Sequence, residues 1–226
     1  MSEGAIVYHQ RVLVLGETRS GKSELLNHLF STLRCQRILL DTKGGEWGVP
    51  GVEPVHSVEE IDWQAPIIHF ITQTDDPMEL DPVFAIAQER KQPISICAHE
   101  MGDLCNFNAQ RTPPNISAYI SKGGAWGCGF MGGSQRPVEM PVRGKTEMQH
   151  VFVVVPPQGD DELQAIARIG IGVSKDQLKG MLQKAQADHG QHSFIWFRKG
   201  YPEPIVCKPL PEHLRAKTIV QRKTPA

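Results

Sequence analysis

The sequence predicts an α/β domain with a mostly parallel β-sheet covered by helices on both faces. Short apolar runs alternate with amphipathic stretches along most of the chain, beginning with a strand at residues 11–15 and a helix at residues 22–33. This alternation indicates a parallel sheet, because each return to the same edge needs a crossover connection. The 226 residues, 40% of them hydrophobic, suffice for one large domain.

The remaining elements follow in order along the chain. Further strands are predicted at residues 37–41, 66–71, 93–98, 126–132 and 151–155, and further helices at about 81–90, 116–121 and 174–190. Asp81 before Pro82 is expected to cap the second helix, and Ser174 with Gln177 to form a capping box that starts the last one. Residues 194–197 and 205–207, joined through Lys199 and Gly200, predict a closing C-terminal β-hairpin.

The domain is expected to span residues 1–211, followed by a basic tail at 212–226. Such tails are usually solvated, although this one also has the charge of a binding arm. The net charge of the chain is -1, so any nucleic-acid contact must come from local basic clusters. We find no signal peptide and no apolar run long enough to span a membrane, and we expect a soluble protein with its five cysteines reduced.

The segment that starts at Gly16 and ends at Ser23 has the phosphate-loop pattern G-x-x-x-x-G-K-S. It lies between a predicted strand and a predicted helix, a context that a chance match would seldom have. The glycines let backbone N–H groups turn towards phosphate, and the helix start adds its positive end. Lys22 is expected to bind the β- and γ-phosphates of ATP and Ser23 to bind Mg²⁺. The nucleotide-binding set comprises Gly16, Thr18, Arg19, Ser20, Gly21, Lys22, Ser23 and Glu24.

A second polar position follows the strand at residues 93–98. Glu100 lies just beyond it, where a carboxylate can polarise the water that attacks the γ-phosphate. The alternative is that Glu100 is an acid at a helix start. His99 stands where a metal-binding aspartate would be expected, and a neutral imidazole is a poor Mg²⁺ ligand. We therefore expect His99 to reach the metal through water.

The third position is Gln135, after the glycine-rich strand at residues 126–132. An amide at the end of a strand beside the phosphate loop is able to hydrogen-bond the γ-phosphate or the attacking water. It would then report the nucleotide state to the following loop. The alternative is that Gln135 is an ordinary turn residue.

Taken in order, these motifs resemble the FtsK–HerA superfamily of DNA-translocating ATPases. The resemblance covers about residues 12–155 and rests on the phosphate loop and on three short segments: Leu39-Leu40-Asp41-Thr42-Lys43-Gly44-Gly45, His99-Glu100, and Gly132-Gly133-Ser134-Gln135-Arg136-Pro137. The short chain, without a membrane anchor, resembles in particular the genome-packaging ATPases of tailless icosahedral viruses with an internal membrane.

The resemblance implies a RecA-like P-loop NTPase fold in which the Gln135 strand lies between the phosphate-loop strand and the Glu100 strand. It also implies a homo-oligomeric ring, usually a hexamer, with ATP between subunits and duplex DNA in the centre. The arginine that commonly precedes the sensor strand in this family is missing, so the cation that acts in trans is sought among Arg111, Lys122 and Arg136. Candidate DNA contacts are Lys43, Arg143 and Lys145.

The leading functional hypothesis is a motor that packages double-stranded DNA into a preformed capsid, using ATP and Mg²⁺. Capsid vertex proteins would be its partners, and the host cytoplasm and the packaging vertex of the virion its location. Alternatives are a plasmid-transfer or chromosome-processing motor and a weakly hydrolysing, nucleotide-switched assembly module. A small-molecule kinase is disfavoured, because the stretch from Gly123 to Ser134 lacks the arginines of a kinase lid.

Overall fold

A computed structural model describes residues 6–44, 47–104, 112–140, 146–156, 159–215 and 219–222. Ten strands and six α-helices are described within these ranges. The strands are β1 (Arg11–Leu15), β2 (Gln36–Asp41), β3 (Trp47–Gly48), β4 (Ile67–Ile71), β5 (Ile94–Ala98), β6 (Cys128–Ser134), β7 (His150–Val154), β8 (Phe194–Arg198), β9 (Ile205–Cys207) and β10 (Gln221–Arg222). The helices are α1 (Lys22–Thr32), α2 (Asp81–Glu89), α3 (Pro114–Lys122), α4 (Asp160–Ala167), α5 (Lys175–His189) and α6 (Glu212–Arg215).

Eight strands form one sheet in the order β4-β2-β5-β6-β1-β7-β8-β9. The first six strands of this order are parallel, and β8 and β9 continue the sheet antiparallel. The sheet therefore confirms the predicted mostly parallel α/β architecture with a C-terminal hairpin. Strand β6 lies between β1 and β5, which is the strand order implied by the resemblance.

The sheet is the middle layer of three. On one face α2, α3, α4 and α5 bury a large apolar core that includes Phe84, Tyr119 and Leu163. On the other face, Leu26 and Phe30 of α1 pack against the side chains of β1 that point to that face. Strands buried on both faces read as continuous apolar runs, which explains why the strands were visible in the sequence. None of the described helices has the length and apolar character needed to cross a membrane.

Two predicted details are wrong, and one helix was not predicted. Asp81 is the first residue of α2 rather than its cap, and its carboxylate instead accepts hydrogen bonds from the backbone N–H groups of Asn115 and Ile116 at the start of α3, at 2.9 and 3.1 Å. Helix α4, with three acids in its first turn, was not predicted. Strand β6 extends to Ser134, because its parallel pairing with β1 continues to Leu15.

The described cysteines are free thiols that differ in burial. Cys97 and Cys128 are buried, whereas Cys35 and Cys207 are half-buried. Cys105 lies outside the described residues. The capping box of Ser174 and Gln177 is present as predicted, and α5 ends before Gly190.

The described part of the C-terminal tail packs on α1 rather than extending into solvent. Arg215 lies 3.4 Å from a carboxylate oxygen of Glu24, and the Ile219 N–H donates to the Ser31 hydroxyl at 2.9 Å. Val220 is 2% exposed within the apolar cluster around α1. Strand β10 then pairs antiparallel with β3. These contacts run along the length of α1, the helix that follows the phosphate loop.

Candidate nucleotide-binding and catalytic site

The predicted site residues meet at the carboxyl edge of the parallel sheet. The register aligns Leu15 of β1 with Ser134 of β6, and Ala98 of β5 with Gly132 of β6. The residues that follow these strands are therefore neighbours in space, although they are far apart in the sequence. Ligands of open α/β sheets bind at this edge, beyond the carboxyl ends of the strands.

The phosphate loop folds as its sequence predicts. Its last glycine, Gly21, has a φ of 91° at the start of α1, a conformation that glycine adopts without strain. Arg19 also has a positive φ, of 66°. Ser20 is buried, and no hydrogen-bond partner within the described residues reaches its hydroxyl. The loop thus offers a helix N-terminus and an unsatisfied buried hydroxyl, both suited to a phosphate group.

Lys22, Glu100 and Gln135 lie close together at the carboxyl edge of the sheet. The Lys22 Nζ atom lies 3.9 Å from Glu100 Oε2 and 3.5 Å from the His99 carbonyl oxygen. The Gln135 backbone N–H donates to the same Glu100 oxygen at 3.2 Å. The Thr18 hydroxyl donates to the Gln135 side-chain oxygen at 2.6 Å. A continuous polar chain therefore links the phosphate loop, the candidate base and the candidate sensor.

His99 is buried and fixed on both sides of its ring. Its Nε2 atom lies 2.5 Å from Asn27 Oδ1, and its ring stacks on Trp47 with centroids 4.4 Å apart. Burial lowers the pKa of His99 to about 3, and the nearby positive charge of Lys22 adds to this effect. The imidazole is therefore neutral at physiological pH.

Asp41 is the last residue of β2 and lies near His99. Its carboxylate accepts hydrogen bonds from the backbone N–H groups of Lys43 and Trp47 at 3.1 and 3.0 Å. Burial works to raise the pKa of Asp41, but contact with His69 and these two backbone bonds outweigh it and leave the pKa below its ordinary value. Asp41 is therefore an ionised carboxylate whose oxygens are committed to shaping the loop after β2.

The geometry distinguishes the remaining residues of the nucleotide-binding set. Ser23 is half-buried at the start of α1, next to Lys22. Glu24 is exposed, and its carboxylate pairs with Arg215. The described residues contain no group of three His, Cys, Asp or Glu side chains placed to hold a metal ion. A divalent cation at Ser23 would therefore need the oxygens of a nucleotide as further ligands.

Sequence reasoning missed three residues of this site: Asn27, Trp47 and His192. His192 follows α5, and its Nδ1 lies 2.6 Å from the Ser20 carbonyl oxygen, so it braces the phosphate loop. No local pattern marks His192, because it stands in the turn between α5 and β8. Asn27 was the more detectable, since a polar side chain on the apolar face of α1 needs a buried partner.

The candidate cations have different positions. Lys43 and Arg136 are exposed beyond β2 and β6, at the same edge as the phosphate loop. Lys122 is exposed at the end of α3, at the opposite edge, where β6 begins. Arg111, Arg143 and Lys145 lie outside the described residues.

Comparison with solved structures supports the same fold. The chain is similar to the genome packaging NTPase B204 of Sulfolobus turreted icosahedral virus 2 in complex with ATP-gammaS, with a TM-score of 0.69, 14% identity, and 91% of this chain and 100% of that chain covered. This chain has the fold of a viral genome-packaging NTPase. B204 of Sulfolobus turreted icosahedral virus, described as the DNA-packaging ATPase, gives a TM-score of 0.68 at 14% identity over 90% of this chain and 98% of that one.

A more distant neighbour confirms the RecA-like P-loop core. The ATPases 2 and 3 of Thermomonospora curvata EccC match with a TM-score of 0.57 and 12% identity, over 95% of this chain and 43% of that chain. No protein-family model and no curated protein matches the sequence. These neighbours share the P-loop ATPase fold that the resemblance implied.

Proposed function

We propose that this protein is an ATPase motor that packages double-stranded DNA into a preformed viral capsid. The observation that carries the ATPase assignment is the convergence of Lys22, Glu100 and Gln135 beside the phosphate loop. A cation for the phosphates, a carboxylate for the water and an amide sensor are what phosphoryl transfer to water requires. The structural neighbours named as genome-packaging NTPases support the choice of packaging.

In this proposal each residue has a distinct role. The backbone of Gly16, Thr18, Arg19, Ser20 and Gly21 surrounds the phosphates, and Lys22 neutralises charge on the β- and γ-phosphates. When ATP enters, the Lys22 ammonium turns from Glu100 to phosphate. This turn frees the Glu100 carboxylate to accept a proton from the attacking water.

Gln135 responds to the nucleotide in the same step. Its backbone N–H orients Glu100, while its side chain is held by Thr18 of the phosphate loop. A γ-phosphate near Thr18 would compete with the Gln135 amide oxygen for the Thr18 hydroxyl. Gln135 thereby passes the nucleotide state to the loop that follows β6.

Magnesium would enter with the nucleotide. The Ser23 hydroxyl is a hard oxygen at the helix start and suits Mg²⁺, whereas the neutral ring of His99 would contact the ion through water. Bound Mg²⁺ supplies charge neutralisation at the phosphate oxygens. Glu24 lies one residue further, and its carboxylate pairs with Arg215.

The motor would act as a ring, with a hexamer as the expected assembly. Arg111, Lys122 and Arg136 are the candidates for a cation that reaches the ATP of an adjacent subunit. Lys43, Arg143 and Lys145 are the candidates for contacts with the DNA backbone in the central channel. The assembly would bind vertex proteins of the capsid, and it would be found in the host cytoplasm and at the packaging vertex of the virion.

A second candidate is a slowly hydrolysing, nucleotide-switched assembly module. The specific observation in its favour is His99, which gives the metal a neutral ring where a carboxylate is expected. A plasmid-transfer or chromosome-processing motor would share the hydrolytic site and the DNA channel.

The deciding experiment measures ATP hydrolysis with and without duplex DNA, together with the mass of the assembly. We expect Mg²⁺-dependent hydrolysis that duplex DNA stimulates, in a ring-sized oligomer. The Lys22→Ala variant should lose hydrolysis and bind ATP weakly, because the phosphates lose their cation. Nucleotide-dependent assembly without DNA stimulation would favour the switched module.

DNA binding by the ring should be independent of sequence and should weaken with salt. A motor that moves along arbitrary sequence must hold the backbone, and each neutralised phosphate adds about -0.9 to the log–log salt slope. The Lys43→Ala variant should make this slope shallower. A flat salt response, or a strong preference for one sequence, would contradict the motor.

A further inference from the structure

We propose that His99 is a positioning residue, which fixes the strand end carrying Glu100 by a hydrogen bond from its ring to Asn27 of α1. This inference rests on the proposed ATPase function. It gives the imidazole a role other than metal binding. Two buried contacts of the imidazole ring support the inference, together with the positions of its partners Asn27 and Trp47 in the fold.

The first contact joins two elements that hold the catalytic groups. The His99 Nε2 atom lies 2.5 Å from Asn27 Oδ1, and the two residues are 5% and 1% exposed. Asn27 lies one helical turn after Ser23, on the helix that the phosphate loop opens. His99 directly precedes Glu100. The hydrogen bond therefore ties the phosphate-loop helix to the base of the catalytic carboxylate.

The atoms of this contact determine the form of the ring. A carbonyl oxygen only accepts hydrogen bonds, so the nitrogen that faces Asn27 Oδ1 must carry the proton. A neutral ring with a proton on Nε2 leaves Nδ1 as an acceptor. Nδ1 is buried, and no partner within the described residues reaches it. The bonded atom is thus Nε2, and Nδ1 is the atom that a metal-bound water would have to approach.

The backbone of His99 is held as closely as its ring. Its carbonyl oxygen is 3.5 Å from Lys22 Nζ. A Cβ atom placed on Gly133 would come within 2.5 Å of the same oxygen, so β6 passes this point without room for a side chain. Glu100 therefore projects from a strand end that is fixed by α1, by Lys22 and by β6.

Trp47 covers the other side of the ring. The two rings stack with an interplanar angle of 27°, and the backbone N–H of Trp47 donates to the Asp41 carboxylate at 3.0 Å. Strand β10 of the C-terminal segment pairs with Trp47 through Arg222. The imidazole is held between α1 and the indole of Trp47, whose backbone is anchored by Asp41 and β10, so a change at either partner would be transmitted to Glu100.

The test uses two amides that mimic different ring nitrogens. The side-chain nitrogen of glutamine reaches about as far as Nε2, and that of asparagine about as far as Nδ1. We expect His99→Gln to keep kcat within about threefold of the wild type. We expect His99→Asn to lower kcat by about tenfold or more, the size of one catalytically positioned hydrogen bond, with the KM for ATP changed by less than about threefold.

The opposite order would overturn the inference, because it would mean that Nδ1 is the working atom, as in metal binding through water. Equal turnover of both variants at the wild-type level would overturn it as well. Thermal unfolding of each variant separates loss of fold from loss of position. Asn27→Leu, which removes the acceptor from the other side, should reproduce the kcat loss of His99→Asn.

A spectroscopic measurement makes the test independent of turnover. In ¹⁵N-histidine-labelled wild-type protein, we expect the His99 ring to be neutral with its proton on Nε2, a pattern that Asn27→Leu should alter. A proton on Nδ1 would overturn the inference even if hydrolysis is normal. If the wild type hydrolyses no ATP with or without DNA, the proposed function fails, while the ring signal still reports whether the link to Asn27 exists.

Discussion

Glu100 shows how a single carboxylate is prepared by its surroundings. Its side chain is 14% exposed, and its Oε2 atom is contacted both by the Lys22 Nζ atom and by the Gln135 backbone N–H. Both contacts hold the carboxylate beside the phosphate loop. Asp103 lies one turn later and is a different kind of acid. Burial raises the pKa of Asp103, and its carboxylate accepts a hydrogen bond from Thr42.

We predict that Glu100→Gln binds ATP but hydrolyses it at least about 100-fold more slowly, since the amide keeps the shape and cannot take a proton. Asp103→Asn is the matched control and should hydrolyse ATP within about threefold of the wild type. Single-turnover hydrolysis and nucleotide binding measure the two effects separately. Normal hydrolysis by Glu100→Gln with loss in Asp103→Asn would move the base to Asp103.

At the scale of elements, helix starts are stabilised by residues from elsewhere in the chain. Asp81 belongs to α2 but accepts three hydrogen bonds at the start of α3: two from backbone N–H groups and one from the Asn115 side chain at 2.8 Å. Asp76 instead caps the short 3-10 helix at Pro77–Glu79 that follows it, and its carboxylate accepts a hydrogen bond from the Met78 N–H at 3.0 Å. The Asp81 cap is buried and joins two helices, whereas the Asp76 cap is exposed.

We predict that Asp81→Ala lowers the free energy of unfolding by about 2 kcal/mol or more, because buried donors lose their acceptor. Asp76→Ala should cost less than about 1 kcal/mol, since water replaces the lost cap. Chemical denaturation of both variants provides the comparison. Equal losses would show that the joining of α2 and α3 by Asp81 adds no stability beyond a local cap.

At the scale of the whole molecule, the C-terminal segment completes the layer around α1. Val220 enters the same apolar cluster as Leu26 and Phe30, and Arg215 contacts Glu24. The ion pair is largely exposed and contributes little by itself. Apolar burial is therefore the main force that holds this segment to the helix behind the phosphate loop.

We predict that Val220→Ala lowers the free energy of unfolding by about 1–2 kcal/mol, from lost burial and the space left behind. Val206→Ala on β9 is the matched control: Val206 is 45% exposed, and its truncation should change stability by less than about 0.5 kcal/mol. Thermal unfolding monitors both. A tail that is solvated in solution would make the two variants indistinguishable.

Much of the fold was predictable because its signals are local. Buried parallel strands are continuous apolar runs, and α1 follows a phosphate loop whose glycine positions are set by backbone geometry. Helix α4 was missed: it has eight residues, three of them acids in its first turn, and only Leu163 and Ile166 are buried. The start of α3 was placed two residues late, because the residue that caps it is Asp81 rather than a neighbour in the sequence.

The sequence by itself determined the phosphate loop, the positions of the main strands along the chain and the identities of Lys22, Glu100 and Gln135 as candidates. Each depends on residue spacing within a short segment, which sequence patterns record directly. The tertiary structure decided that His99 is bonded to Asn27 and that the C-terminal segment packs on α1. Those contacts join residues 72 and 188 positions apart, and they exist because burial brings distant polar and apolar groups together.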